Sequence, residues 1–265
     1  MIKSKIITTL KLLDKKIENN FEPSSKDVFL VSFPRSGNTW VRTLLSNLVY
    51  NIHPNSLDDL NIIIPDIYVP VKNKSLIKSD YHIVKSHEPF RNKDKNLYLK
   101  VIYLYRDPRD VCISYYKFSK NFGYEFTFEQ FIIDMFTGRL TYGSWQNHIN
   151  SWLNHWNHEI KIEILKLKYE DLIINPIEEL KRISKFLQIE TNEKLLVNSS
   201  TNSSVDNMKN IAINSSLKKR YTDPNYKFIG DAKSNQWENK LTNEQLEIIY
   251  YYADEAMNYL GYKIK

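Results

Sequence analysis

Residues 28 to 45 read VFLVSFPRSGNTWVRTLL. An apolar run, Val28-Phe29-Leu30-Val31, passes through Ser32-Phe33-Pro34-Arg35-Ser36-Gly37-Asn38-Thr39-Trp40 into Val41, Leu44, Leu45, Leu48 and Val49 at helical spacing. A buried strand, a tight glycine-containing loop and a helix in direct succession turn backbone N–H groups toward one point, the geometry that holds an anion. Ser36, Asn38 and Thr39 add side-chain donors, Arg35 adds a planar fork suited to phosphate or sulfate oxygens, and Trp40 offers a flat surface for a base. The loop has neither the first glycine nor the Lys-Ser/Thr pair of GxxxxGK[ST], and no GxGxxG occurs because the six glycines are isolated. An ATP- or GTP-hydrolysing engine and a dinucleotide-dependent oxidoreductase are therefore not expected.

Three more apolar runs end in charged or polar residues rather than in plain turn residues. Tyr81-His82-Ile83-Val84 leads into Lys85-Ser86-His87, which brings a proton acceptor and an oxyanion partner to one strand end. Val101 to Tyr105 leads into Arg106-Asp107-Pro108-Arg109-Asp110, where Asp107 suits an N-cap and Pro108 the first helical position. Ile162 to Leu167 leads into Tyr169-Glu170-Asp171, after which Asn175-Pro176 opens a helix bearing Ile177, Leu180, Ile183, Phe186 and Leu187. Near-continuous apolar strands alternating with helices predict an α/β fold with a central parallel sheet flanked by helices, and a ligand outside the carboxyl ends of the strands. Residues 191 to 235, rich in Asn, Ser and Lys, read as an irregular segment, and a last helix is expected from Leu241 to Tyr262.

The chain has 265 residues and a formal charge of +6, with no long single-sign block, which suits a small polyanionic ligand and gives no expectation of a nucleic-acid partner. A single domain spanning residues 1–265 is expected, with Ile6, Leu10, Leu13 and Ile17 marking an amphipathic helix over residues 1–20 that packs on it. Cys112 is the one cysteine, so neither an internal disulfide nor a thiolate metal cluster is possible. No segment approaches the roughly twenty apolar residues that span a bilayer, so a cytoplasmic chain without stable membrane association is expected. His148, His155 and His158 flank a stripe formed by Trp145, Trp152 and Trp156, but their spacing is not that of HExxH, and no metal site is expected.

Together these stretches resemble the soluble sulfotransferases that use 3′-phosphoadenosine 5′-phosphosulfate (PAPS) as sulfuryl donor. SFPRSGNTW is similar to the family's 5′-phosphosulfate loop, usually PKSGTTW, with Arg35 at the lysine position and Asn38 at a threonine. VKSHEP, residues 84 to 89, is similar to the KTH segment that bears the family's catalytic histidine, and in YRDPRDVCISYY, residues 105 to 116, Arg106 and Ser114 fall on the arginine and serine of the 3′-phosphate motif. YGSWQNHINSW, KYEDL and Ser203 to Met208 follow in the family's order. The family's RKGxxGDW is replaced by Gly230-Asp231-Ala232-Lys233-Ser234-Asn235-Gln236-Trp237, which lacks the arginine that grips the 3′-phosphate and leaves Lys233 as a stand-in. Val205 replaces an aromatic residue, and the dimerisation motif KxxxTVxxxE loses its lysine and valine.

The resemblance implies a P-loop-kinase-like sulfotransferase fold, of cytosolic, bacterial-like type. It also implies in-line transfer of a sulfuryl group from PAPS to a hydroxyl or amine of a small-molecule acceptor, leaving 3′-phosphoadenosine 5′-phosphate (PAP). His87 would be general base, with Lys85 and Arg35 stabilising charge on the sulfuryl oxygens and the leaving phosphate. Ser36, Gly37, Asn38, Thr39, Trp40, Arg106, Ser114, Tyr169, Ser203, Val205 and Lys233 would surround the nucleotide; His148, Tyr142 and Asp66 would face the acceptor. Two alternatives stay open on the same fold, a nucleotide-binding kinase-like enzyme and a non-catalytic PAP-binding protein.

Overall fold

Each of the four apolar runs becomes a strand: β1 (Asp27–Ser32), β2 (His82–Ser86), β3 (Lys100–Tyr105) and β4 (Glu163–Lys168). All pairings are parallel and the order is β2-β1-β3-β4, so the chain leaves β1 for one neighbour and returns to its other side for β3. The crevice between the carboxyl ends of β1 and β3 is thus the topological switch point of the sheet. Register keeps those ends level, with Val31 opposite Ser86, Ser32 opposite Leu104 and Tyr105 opposite Lys168. The computed structural model describes residues 26–67, 80–94, 96–153 and 162–264; the helix expected over residues 1–20, and His155 and His158, lie outside them.

Alternate residues of β1 feed two cores, as the two-residue repeat of a strand requires. Phe29 and Val31 pack with Tyr103, Trp145 and Trp152 and with α3 (Pro108–Lys120), α4 (Phe128–Thr137), α5 (Trp145–Leu153) and α10 (Asn243–Tyr259). Val28 and Leu30 pack on the opposite face against α1 (Asn38–Tyr50), α6 (Tyr169–Ile174) and α7 (Pro176–Leu187). Asp107 caps α3 as expected, accepting from the Arg109 N–H at 2.9 Å, with Pro108 in the first turn. A short helix, α2 (Leu57–Ile63), follows α1, and beyond it residues 65–67 pair with β2 through Ile67 N–H to Lys85 O at 2.9 Å and Lys85 N–H to Pro65 O at 2.8 Å. That pairing covers the outer edge of β2 and carries Asp66 to Lys85.

Residues 191 to 235 are not irregular throughout. They hold α8 (Glu193–Asn202), α9 (Val205–Ile213) and a single 3₁₀ segment at Ser216–Arg220, and only the stretch from Tyr221 onward is irregular. Polar residues that read as loop are helix caps: Asn192 accepts from the Leu195 N–H at 2.8 Å, Ser204 caps α9, and Ser215 accepts from the Leu217 N–H at 3.1 Å. Their few apolar residues suffice because they are grouped, Leu196 entering the core beside α1 and Met208 with Ile211 packing on Leu57 and Leu60. Among the described residues no helix is long and apolar enough to cross a membrane.

Candidate active site

The loop after β1 makes its turn with two residues of positive φ, Arg35 at 66° and Gly37 at 103°. Gly37 has no alternative: a Cβ there would lie 2.5 Å from Cδ2 of Tyr169. Next to it α1 begins with no side-chain cap and no acidic residue in its first turn, so its N-terminal N–H groups face the loop without a built-in anion. Ser36 is wholly buried, and its Oγ, the Oγ of Ser203 and the Nε of Arg106 are buried polar atoms without a hydrogen-bond partner among the described residues. Uncapped N–H groups, orphaned donors and nearby guanidinium groups suit a ligand with several phosphate or sulfate oxygens.

At the end of β2, His87 Nδ1 stands 2.7 Å from the carbonyl oxygen of Ser32. A carbonyl only accepts, so Nδ1 carries the proton and donates it, which leaves the lone pair on Nε2. Behind it, His148 Nε2 lies 3.1 Å from the His87 carbonyl and must donate to it, while His148 Nδ1 accepts from the Tyr103 hydroxyl at 2.7 Å. Burial, with the charge of Lys85 adding to it, pushes the His87 pKa down to about 3, so the ring is neutral around neutral pH. Lys85 Nζ meets the Asp66 carboxylate at 2.5 Å; burial lowers the proton affinity of this ammonium and Asp66 partly restores it.

On the other side of the loop, Trp40 donates from Nε1 to the Ser203 carbonyl at 2.9 Å and meets the Tyr169 ring edge-on at 5.7 Å. Arg106 lies over the Tyr169 ring at 4.2 Å and donates to the Lys233 carbonyl at 3.1 Å. Arg35 reaches away from β2, donating from Nε to Ser114 Oγ at 3.3 Å and from its terminal nitrogen to the Phe228 carbonyl at 3.0 Å, between the rings of Phe118 and Phe228. Burial lowers the proton affinity of this guanidinium too.

One cavity of about 1150 Å³ joins these parts. Arg35, Gly37, Asn38, Thr39 and Trp40 line it from the loop and the start of α1, Asp66, Lys85 and His87 from the β2 side, Arg106 from the turn after β3 and Ser114 from α3. Tyr142, Tyr169, Ser203 and Val205 complete the expected set on its wall. Three expected residues are off its wall, the first being Ser36, wholly buried within the loop. His148 is fully buried, its ring spent on Tyr103 and the His87 main chain, because the apolar face of α5 turns it into the core with Trp145 and Trp152. Lys233 meets Arg106 through its carbonyl, and its side chain is exposed and off the cavity wall. Asp66 does line the cavity, but its charge is engaged by Lys85 before any cationic acceptor arrives.

Arg42 also lines the cavity, held by the carbonyls of Leu60 and Ile64 and by Asn61, and was not foreseen, since a lone arginine inside a helix carries no sequence signal. Burial pushes its pKa down to about 10. Lys117, one turn beyond Ser114 on α3, was legible in principle from that spacing; Lys240 was not. Among the described residues, no cluster of three or more His, Cys, Asp or Glu side chains could hold a metal ion. What remains is a buried, cation-rich anion site beside a neutral imidazole with a free lone pair, an arrangement able to move a charged group onto a nucleophile that gives up a proton.

Comparison with known proteins shows the family of the whole chain. The family model for the sulfotransferase domain matches residues 25–261. Sulfotransferase 1 family member D1 of Mus musculus is 30% identical over 247 residues, covering 86% of this chain and 82% of that protein. Sulfotransferase 1B1 of Canis lupus familiaris is 29% identical over 251 residues, covering 87% and 84% respectively. The crystal structure of mouse sulfotransferase SULT7A1 complexed with PAP aligns with a TM-score of 0.68 at 21% identity, over 90% of this chain and 86% of that one.

Proposed function

The chain belongs to the sulfotransferase family, and from that premise we propose that it transfers a sulfuryl group from PAPS to a hydroxyl or amine of a small-molecule acceptor, as a single-domain cytoplasmic enzyme without a metal. The observation that carries the reading is the pair formed by His87 and Lys85 beside the uncapped start of α1: a base with a free Nε2, and a cation, at the carboxyl edge of the sheet.

Each part of the cavity then has a task. His87 Nε2 takes the acceptor's proton as the acceptor oxygen or nitrogen forms its bond to sulfur and the bond from sulfur to the phosphate oxygen breaks. Lys85 offsets charge on the sulfuryl oxygens; the N–H groups of Gly37, Asn38 and Thr39, with the hydroxyl of Ser36, hold the 5′-phosphate that leaves. Arg35 brings positive charge to the nucleotide through a fixed guanidinium, which supplies electrostatic help and no proton. Arg106 and Ser114 meet the 3′-phosphate, Trp40 and Tyr169 flank the adenine with Ser203 and Val205 beside them, and Tyr142, whose ring lies 5.5 Å from that of His87, borders the acceptor.

PAP should therefore raise the melting temperature in the presence of EDTA, by about 5–10 °C at a hundredfold excess over Kd. No shift at saturating PAP overturns the reading. A PAP-binding protein without catalysis would give the shift and show no donor turnover in a panel of hydroxyl and amine acceptors.

A further inference from the structure

We propose that Lys117 and Lys240 together hold the outer oxygens of the 3′-phosphate, in place of the arginine that the segment from Gly230 to Trp237 lacks; the inference rests on the PAPS reading above. Both are exposed residues on the cavity rim, each among those that line it. Asp110, Ser114 and Lys117 recur on one face of α3, and Arg106, just before the helix, meets Asp110 at 3.7 Å, so the four form a row along the cavity wall.

Lys240 comes to the same row by a different route. The carbonyl of Lys233 accepts from Arg106 at 3.1 Å and from Gln236 Nε2 at 3.1 Å, and the other end of the Gln236 amide accepts from the Lys240 ammonium. The short turn Gln236–Asn239 is pinned to α3 by Trp237 N–H to Asp110 Oδ1 at 3.1 Å and by Arg109 over the Trp237 ring at 3.7 Å. Lys240 is therefore fixed by backbone and amide contacts and keeps two ammonium protons for a ligand. Burial and then Lys117 lower its proton affinity, with Lys233 adding to this and Asp110 and Asp231 opposing it.

Charge balance completes the argument. Asp110 is shared between Arg106 at 3.7 Å and the Trp237 N–H, and Asp231 stands 3.9 Å from Lys209. Neither Lys117 nor Lys240 forms an ion pair with a carboxylate among the described residues. Arg106, Lys117 and Lys240 against the carboxylates of Asp110 and Asp231, each already engaged by a cation, leave this wall positive, which suits an anion, and two point charges can replace the single fork of an arginine on a phosphate.

The test is calorimetric titration of the full chain with PAP and with adenosine 5′-phosphate, which lacks the 3′-phosphate. Lys117→Ala and Lys240→Ala should each weaken PAP about tenfold, and the pair together about a hundredfold, with adenosine 5′-phosphate unaffected. Lys233→Ala should bind both nucleotides as the parent does. Unchanged PAP affinity in both lysine variants, equal losses for the two nucleotides, or a loss confined to Lys233→Ala overturns the assignment. A parent protein that binds PAP no better than adenosine 5′-phosphate overturns the PAPS reading itself, and this assignment with it.

Discussion

Replacing Gly37 by alanine tests the loop at its most constrained atom. The residue sits at φ 103° and ψ 13°, and an added Cβ would meet Tyr169 Cδ2 at 2.5 Å and Cε2 at 2.6 Å. Left-handed strain costs an alanine about 1–2 kcal/mol, and overpacking against a held ring about 1–3 kcal/mol more. The ring is not free to yield, because Arg106 lies over it at 4.2 Å and Trp40 abuts it. Gly37→Ala should therefore lose about 2–5 kcal/mol, read by urea denaturation, or about 4–20 °C in melting temperature. In a Tyr169→Ala background the clash disappears and the strain persists, so the double-mutant cycle should return a coupling of about 1–3 kcal/mol. A Gly37→Ala loss under about 0.5 kcal/mol, or no coupling to Tyr169, refutes the reasoning.

The other predictions concern charge. Arg35→Ala should slow turnover about 10²–10³-fold and, by freeing the Phe228 carbonyl, make the 221–235 stretch more sensitive to limited proteolysis; intact resistance would mean that Arg35 does not hold that stretch. Asp66→Asn removes the carboxylate that supports the Lys85 proton, so the alkaline limb of kcat/KM should move to lower pH; an unmoved limb would separate the pair from catalysis. His148, fully buried with its pKa pushed down to about 3, resists protonation in the folded state while the unfolded chain protonates near 6.5. Its share of stability is thus complete above about pH 6.5 and falls toward pH 3, by about 2 kcal/mol between pH 7 and pH 5, and His148→Gln should flatten that slope in denaturation curves.

The sheet was legible because its two central strands are near-continuous apolar runs followed by a distinct chemistry, Val28 to Val31 before the anion loop and Val101 to Tyr105 before the Asp107-Pro108 cap, while the edge strands β2 and β4 mix apolar with charged residues. Runs of that kind have one low-energy solution, burial on both faces of a parallel sheet, and their ends then converge. Elements held by few apolar residues were not legible. Helices α8 and α9 are set by the caps Asn192 and Ser204, residue types that serve turns equally well. At the site, residue chemistry was readable and direction was not. His148 carries a titratable ring like His87, yet α5 turns it into the core, and Lys233 contributes a carbonyl where an ammonium was expected. Lys240 joins the cavity only because a turn stacked on Arg109 folds back over α3, a contact between residues 128 positions apart for which no local pattern exists (Arg109 to Trp237).

The most direct test of the account is single-turnover transfer from PAPS to a mixed panel of alcohols, phenols and amines, run on the parent and on His87→Ala with PAP affinity measured in parallel. The account predicts a sulfated acceptor and released PAP from the parent. His87→Ala should bind PAP as tightly and transfer about 10²–10⁴-fold more slowly. Transfer by His87→Ala at the parent's rate, or a parent that binds PAP and sulfates nothing, would contradict it.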